Sequence, residues 1–313
     1  MRYDYMSMGF YTFDCLGWPF TAVPEGGGTN FIDDLTLAVS GAAGTASIAA
    51  AKMGLKTLAV GGVGCDLMGD WVIQRLKHFG VDTSCMQQQP GWKTSSSIVT
   101  TRRDGSRPAL HMRGATAEFY VDDGMISQVI DSVVVHVGGV GLMRNMDDGR
   151  SAEVMKQAKL NGCTTTVDIF AGSKDDMRAV ALVLPYTDYF MPSIEEAQAL
   201  TGLNDMADMA EAFIKLGVKC CVFTLGGDGA YYHHADGTKF KIPAFAIDVK
   251  CTCGCGDAFN SGFAVGLVKG FDPQTTVKFA QATSALNATG LGSQAGVESF
   301  EHTFNFMKTT PTR

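Results

Sequence analysis

The residues best placed to do chemistry lie together in Cys251-Thr252-Cys253-Gly254-Cys255-Gly256-Asp257, followed by Ala258-Phe259-Asn260-Ser261-Gly262. Gly254 and Gly256 permit a backbone turn that larger residues resist. The apolar run beyond them predicts a helix over 257–269 whose first amides lack intrahelical partners. Such amides, with the helix dipole, make an anion site suited to charge developing on a transferred phosphoryl group. Asp257 at the mouth of that site would accept the proton of an attacking hydroxyl. A helix N-terminus favours the ionised carboxylate, so Asp257 is expected to be a weak base. A loose phosphoryl-transfer transition state tolerates this, because the hydroxyl proton leaves late. Taken alone, the segment reads slightly better as an ordinary helix N-cap.

To hold that segment the chain must supply a scaffold. Residues 4–14, an apolar run ended by Asp14, predict a first strand. Residues 15–40, with Pro19, Pro24 and Gly26-Gly27-Gly28, predict an irregular loop and an exposed hairpin. Next come a small-residue turn and Ala-rich helix over 40–54, a strand at 57–62 and a helix at 71–79. Segments 94–101 and 107–112 predict a hairpin around Asp104-Gly105. Beyond Asp122, predicted strands at 132–137, 164–169, 188–191 and 219–225 alternate with predicted helices at 147–160, 174–184, 194–201 and 205–217. That alternation argues for a mostly parallel sheet with helices on both faces. A small hairpin at 229–242 and helices at 257–269, 273–289 and 299–308 complete the chain. The expectation is a single α/β domain over 1–313 with a small β-rich lid at about 15–40 and 93–113.

Composition narrows the function. With 46% hydrophobic and 18% charged residues the chain is neither disordered nor fibrous. Its glycines, 37 of 313, come in short clusters suited to phosphate loops and tight turns. A net charge of −7 (25 − 32) is a poor footprint for duplex nucleic acid. No apolar run approaches the ~18 residues of a membrane span, and no signal-peptide core precedes Asp14. Nine cysteines, an odd number, read as a reduced, cytoplasmic protein.

GCGDAFNSGF resembles the C-terminal signature of the ribokinase-like (PfkB) carbohydrate kinases, D-T-x-G-A-G-D. Ser40 to Gly54 resembles the family's N-terminal signature, GGVGCDLMGD its G-x-V-G-x-D-x-x-G turn, and Thr224-Leu-Gly-Gly-Asp-Gly229 its T-x-G-x-x-G nucleotide loop. Four motifs in order over nearly the whole chain are far more specific than any one, and they overrule the N-cap reading. The resemblance implies Asp257 as catalytic base and the amides of Gly254, Cys255 and Gly256 as the anion hole. It implies Thr224, Gly226 and Gly229 at the nucleotide, with Asn287 across the groove. Asp14, Gly41 and Thr45 fall at the substrate positions, and Glu196 at the residue that organises Mg²⁺ through water. The plain readings are a turn-forming Asp14 and a solvated helix face at Glu196.

Three positions depart from the pattern. Ser193 replaces the Asn of N-x-x-E, which alters the magnesium shell. Cys251 replaces an acid that helps hold a monovalent cation in many relatives, which counts against K⁺ activation. Thr45 replaces a sugar-side Asn and suits a different hydroxyl pattern. Alternating Cys251, Cys253 and Cys255 lack the spacing of a zinc site and read as small buried thiols, with a redox role at Cys255 unsupported. Arg102, Arg103, Arg107 and Arg113 read first as a charged lid edge and second as a clamp for a phosphorylated or sulfonated sugar. Met125, Met206 and Met209 read as core filler.

The reading is an ATP- and Mg²⁺-dependent kinase acting on a hydroxyl of a sugar or related polyol. It would bind neither nucleic acid nor membrane, and it would pair through the lid as a homodimer. Two alternatives stay open: a nucleoside kinase with Trp18, Phe20 and Phe31 stacking a base, and a regulator that has lost catalysis.

Overall fold

The computed structural model describes residues 1–170 and 172–313. Its strands are β1 (Tyr3–Gly9), β2 (Thr12–Trp18), β3 (Asp34–Ser40), β4 (Thr57–Gly64), β5 (Asp82–Gln89), β6 (Ser96–Thr100), β7 (Ala109–Met112), β8 (Ser132–Val140), β9 (Thr164–Ile169), β10 (Tyr189–Phe190), β11 (Cys220–Thr224), β12 (Ala230–His234) and β13 (Lys239–Ile242). Its helices are α1 (Ala42–Lys52), α2 (Leu67–His78), α3 (Asp123–Val129), α4 (Arg144–Asp147), α5 (Arg150–Leu160), α6 (Met177–Val183), α7 (Ile194–Thr201), α8 (Met206–Lys215), α9 (Cys255–Val268), α10 (Pro273–Ala288) and α11 (Phe300–Thr309).

Near-continuous apolar runs such as β4 and β8 are buried on both faces, as central parallel strands must be. They sit within a nine-stranded sheet ordered β13-β12-β11-β10-β9-β8-β1-β4-β5, parallel except where β12 and β13 turn back at one edge. Alternation along the strands splits the core in two. Met6, Met8, Val135 and Val137 pack with α5 and α8 on one face, and Tyr5 and Val134 with α1, α9 and α10 on the other. A four-stranded sheet, β3-β2-β6-β7, covers the open end of the large one. This is the ribokinase-like architecture expected, lid included. Among the described residues no helix is long and apolar enough to cross a membrane.

Several boundaries differ for physical reasons. The run 4–14 is two strands in different sheets, split at Gly9, whose φ is +143° and whose Cβ would lie 2.0 Å from the Gly138 carbonyl oxygen. Asp14 therefore lies inside β2 rather than at the end of the first strand. The expected hairpin after residue 31 is instead the single strand β3, returning antiparallel to β2. The expected helix 147–160 breaks at left-handed Gly149 into α4 and α5. Strand β5, polar in sequence, was not expected; it is an edge strand, where no apolar alternation is required.

Candidate active site

Helix α9 starts two residues earlier than expected because Gly254, at φ +72°, occupies its N-cap. A Cβ there would lie 2.9 Å from Ser293 Oγ and 3.0 Å from Thr45 Cγ2, so the close approach requires glycine. Asn287 of α10 pins the loop: its Nδ2 donates to the Cys253 carbonyl at 2.7 Å, and its Oδ1 accepts from the Gln294 amide at 2.5 Å. The Cys255 amide leans back on the Thr252 carbonyl at 3.4 Å. Among the described residues, the amides of Gly254, Gly256 and Asp257 donate to no protein atom. The amides available to an anion thus differ from the expected set in one member, Asp257 standing in for Cys255.

Asp257 is the third residue of α9, not its cap, and it faces the cleft. Burial among the cavity walls pushes its carboxyl up to about 6. Arg107 and the Thr45 hydroxyl pull it down, while Glu196 and Asp14 push it up. The expectation of a weak base is corrected: desolvation and like charge outweigh the helix terminus.

Two further carboxylates converge here. Asp168 ends β9, and burial, then Glu196 and Asp257, raise its pKa well above the ordinary value. Glu196 stands in the first turn of α7, where its Oε2 accepts from the Ser193 amide at 2.9 Å and hydroxyl at 2.8 Å. Ser193 Oγ accepts in turn from the Glu196 amide at 3.2 Å. This is a capping box, legible in Ser-Ile-Glu-Glu, and it replaces the solvated-face reading. Among the described residues no three ligating side chains are close enough to hold a metal alone. Carboxylates that repel one another around a cleft fit Mg²⁺, which keeps several waters and binds through one or two carboxylates plus phosphates. Asp168 was missed, although an acid ending a central parallel strand was its visible signal.

The lid supplies the opposite wall. Asp14 on β2 lies directly across from Ser97 on β6, and Ser97 across from His111 on β7, so the three form one row on the inner face. Ser97 Oγ and His111 Nδ1 are 3.0 Å apart. Burial raises Asp14, and the hydroxyls of Ser97, Thr12 and Ser40 offset part of that. Gly41, φ +82°, brings α1 against Phe10, whose carbonyl oxygen a Cβ would meet at 2.4 Å.

These walls enclose a cavity of about 960 Å³. Asp14, Gly41, Thr224, Gly226, Glu196, Gly254, Cys255, Gly256 and Asp257 all line it. Three expected residues do not. Thr45 is fully buried behind Gly254. Asn287 supports the loop from behind. Gly229 serves the turn into β12, where a Cβ would lie 1.9 Å from the Ile242 carbonyl oxygen. Arg107 and Arg113 line the cavity, whereas Arg103 pairs with Asp33 and sits over Trp18, so the arginine cluster divides. Cys251 and Cys253 are buried free thiols, as expected, and Cys255 is half-buried. The Cys253 amide donates to the Cys251 sulfur at 3.4 Å, and the Thr101 hydroxyl lies 3.6 Å from it. Met209 is buried in the main core, with Met125 and Met206 packed against it.

A family model described as pfkB family carbohydrate kinase matches residues 19–299. An ATP-dependent 6-phosphofructokinase from Thermoanaerobacterium thermosaccharolyticum is 23% identical, over 93% of this chain and 90% of its own. A 2-dehydro-3-deoxygluconokinase from Thermoproteus tenax is 27% identical, over 79% of this chain and 78% of its own. Among solved structures, Arabidopsis thaliana ribokinase complexed with ribose and ATP superposes with a TM-score of 0.83 at 20% identity, over 98% and 99% of the two chains. A nucleoside kinase from Methanocaldococcus jannaschii gives 0.77 at 18% identity, over 98% of each.

Proposed function

Because this chain belongs to the pfkB family of carbohydrate kinases, an ATP-dependent class, we propose that Asp257 is the base that activates a sugar or polyol hydroxyl for in-line attack on ATP. The observation that carries this is the convergence of a carboxyl poised near 6 and unpartnered amides at the α9 N-terminus on one cavity wall. Asp14 and the Gly41 turn orient the acceptor. Thr224 and Gly226 border the nucleotide, and Gly229 and Asn287 shape that border from behind. Asp257 takes the hydroxyl proton as the oxygen–phosphorus bond forms, and the amides of Gly254, Gly256 and Asp257 receive the charge gathering on the transferred group. Mg²⁺, reached from Glu196 and Asp168 through water and the nucleotide, would neutralise phosphate charge. The Cys251 sulfur stands where relatives carry an acid, so exchanging K⁺ for Na⁺ should change turnover less than twofold.

Trp18, Phe20 and Phe31 do not line the cavity and Phe31 is 95% exposed, so these three form no slot for a nucleobase. A second copy of the chain covers the outer face of the lid, and the protein works in the cytoplasm. The test is ADP release from MgATP against neutral sugars and polyols, with Asp257→Asn alongside. The variant should bind ATP and turn over at least ~10²-fold more slowly, the lower range for loss of a general base. Near-normal turnover would remove Asp257 from this role.

A further inference from the structure

Arg107, Ala109, His111 and Arg113 alternate along one extended segment, so all four face the cavity, while Leu110 points out at 71% exposure. Around the lid Arg103 pairs with Asp33, Arg144 with Glu118 and Arg150 with Asp123, while Arg102 of the same hairpin stands outside the cavity. Among the described residues neither Arg107 nor Arg113 has a carboxylate within ion-pair distance. Guanidinium groups left unpaired in a cleft are suited to forked contacts with an oxyanion.

The two arginines serve different ends of the cavity. Arg107 lines the same cavity as Asp257, and its charge lowers the Asp257 pKa. About 20 Å of extended chain leads from there to Arg113. Arg113 lies beside His111 and forms the wall shared with a second cavity of about 360 Å³, lined also by Trp92, Glu118, Leu142 and Arg144. Thr224 and Gly226, which border the nucleotide, come from β11 and the turn after it, not from the lid. A charge met by Arg113 therefore belongs to the acceptor. The other charged residues of the lining, Asp14, Asp168, Glu195, Glu196 and Asp257, are acidic, so an anionic acceptor has one favourable orientation: charge toward the lid edge, hydroxyl toward Asp257.

Resting on the kinase reading above, we infer that the acceptor carries an oxyanion group, a carboxylate or a phosphate, remote from the hydroxyl it presents, and that Arg113 recognises it. His111 lines the same wall, its Nδ1 3.0 Å from Ser97 Oγ.

The experiment compares fructose and ribose with 2-dehydro-3-deoxygluconate and with fructose 6-phosphate, as substrates and by calorimetric binding. It uses the wild type, Arg113→Gln, and Arg102→Gln, which removes the same charge from the same hairpin outside the cavity. One charged acceptor should exceed the neutral sugars in kcat/KM, and which one distinguishes carboxylate from phosphate. Arg113→Gln should cost that acceptor ~10–100-fold, mostly in KM, as expected for a lost charged hydrogen bond, and Arg102→Gln less than twofold. Preference for neutral sugars, or equal losses in the two variants, overturns the inference. If nothing is phosphorylated, the kinase reading fails separately, and binding decides here. Arg113-dependent binding of a charged over a neutral sugar upholds the inference, and equal binding refutes it.

Discussion

Asp257 sits where two effects oppose: the α9 terminus favours its charge, while burial and the carboxylates Glu196 and Asp14 disfavour it. The second set wins, and that gives the acid limb of the pH profile a definite place. A base works only when deprotonated, so kcat/KM should climb as pH rises through about 6, measured with an acceptor that does not itself titrate there. Arg107→Gln removes the cation that holds this carboxyl down, so the limb should move to higher pH. A midpoint left in the ordinary carboxylate range near ~4 would show that the raised pKa does not govern catalysis. The sequence exposed Asp257 and its glycines because their types and spacing are local. It hid the Asp14–Ser97–His111 row, which exists only through register between strands far apart in the chain.

At the scale of elements, the regular α/β half was readable from its alternation of apolar runs and helical spacing, and α7 falls at 194–201 as expected. What holds neighbouring elements together was not readable. Asp188, expected inside a strand, lies just before β10 and ties three elements at once. Its Oδ1 accepts from Lys159 of α5 at 2.5 Å and from Lys219, before β11, at 2.8 Å. Its Oδ2 accepts from the Thr165 amide of β9 at 3.0 Å. Burial alone would raise its pKa, but the two lysines and Thr165 bring it below the usual value. A depressed folded pKa means stability that is present at neutral pH and lost as pH falls below the unfolded value near ~4. Asp188→Asn should therefore destabilise by about 2–4 kcal/mol at pH 7, leaving two lysines without their partner. The gap in urea midpoints should hold from pH 7 to about 5 and narrow as pH falls below ~4. A gap that stays the same well below ~4 would mean the carboxylate's charge contributes nothing.

For the whole molecule, the lid sheet has two faces with opposite character because side chains alternate along each strand. The inner face carries Asp14, Ser97 and His111 toward the cavity. The outer face carries a row across all four strands, Leu37, Cys15, Ile98 and Leu110, with Leu37, Ile98 and Leu110 exposed. Leu35 and Met112 extend it, and a contiguous apolar patch of this kind is uncommon on a monomer. Two copies meeting face to face about a two-fold axis would cover such a patch on both at once. Sedimentation velocity at micromolar concentration should show a dimer for the wild type and a monomer for Leu37→Glu combined with Ile98→Glu. A monomeric wild type would sink the assembly. The same strands carry Asp14, Ser97 and His111, the wall proposed to hold the acceptor, so if two copies pair here, separating them should loosen that inner row as well. The KM for the acceptor should rise about tenfold, the order of one ordinary hydrogen bond's worth, while the KM for ATP, set by β11 and the turn after it, should stay within twofold. If both constants rise together, the outer face supports the whole fold rather than the lid, and the coupling between pairing and acceptor binding fails.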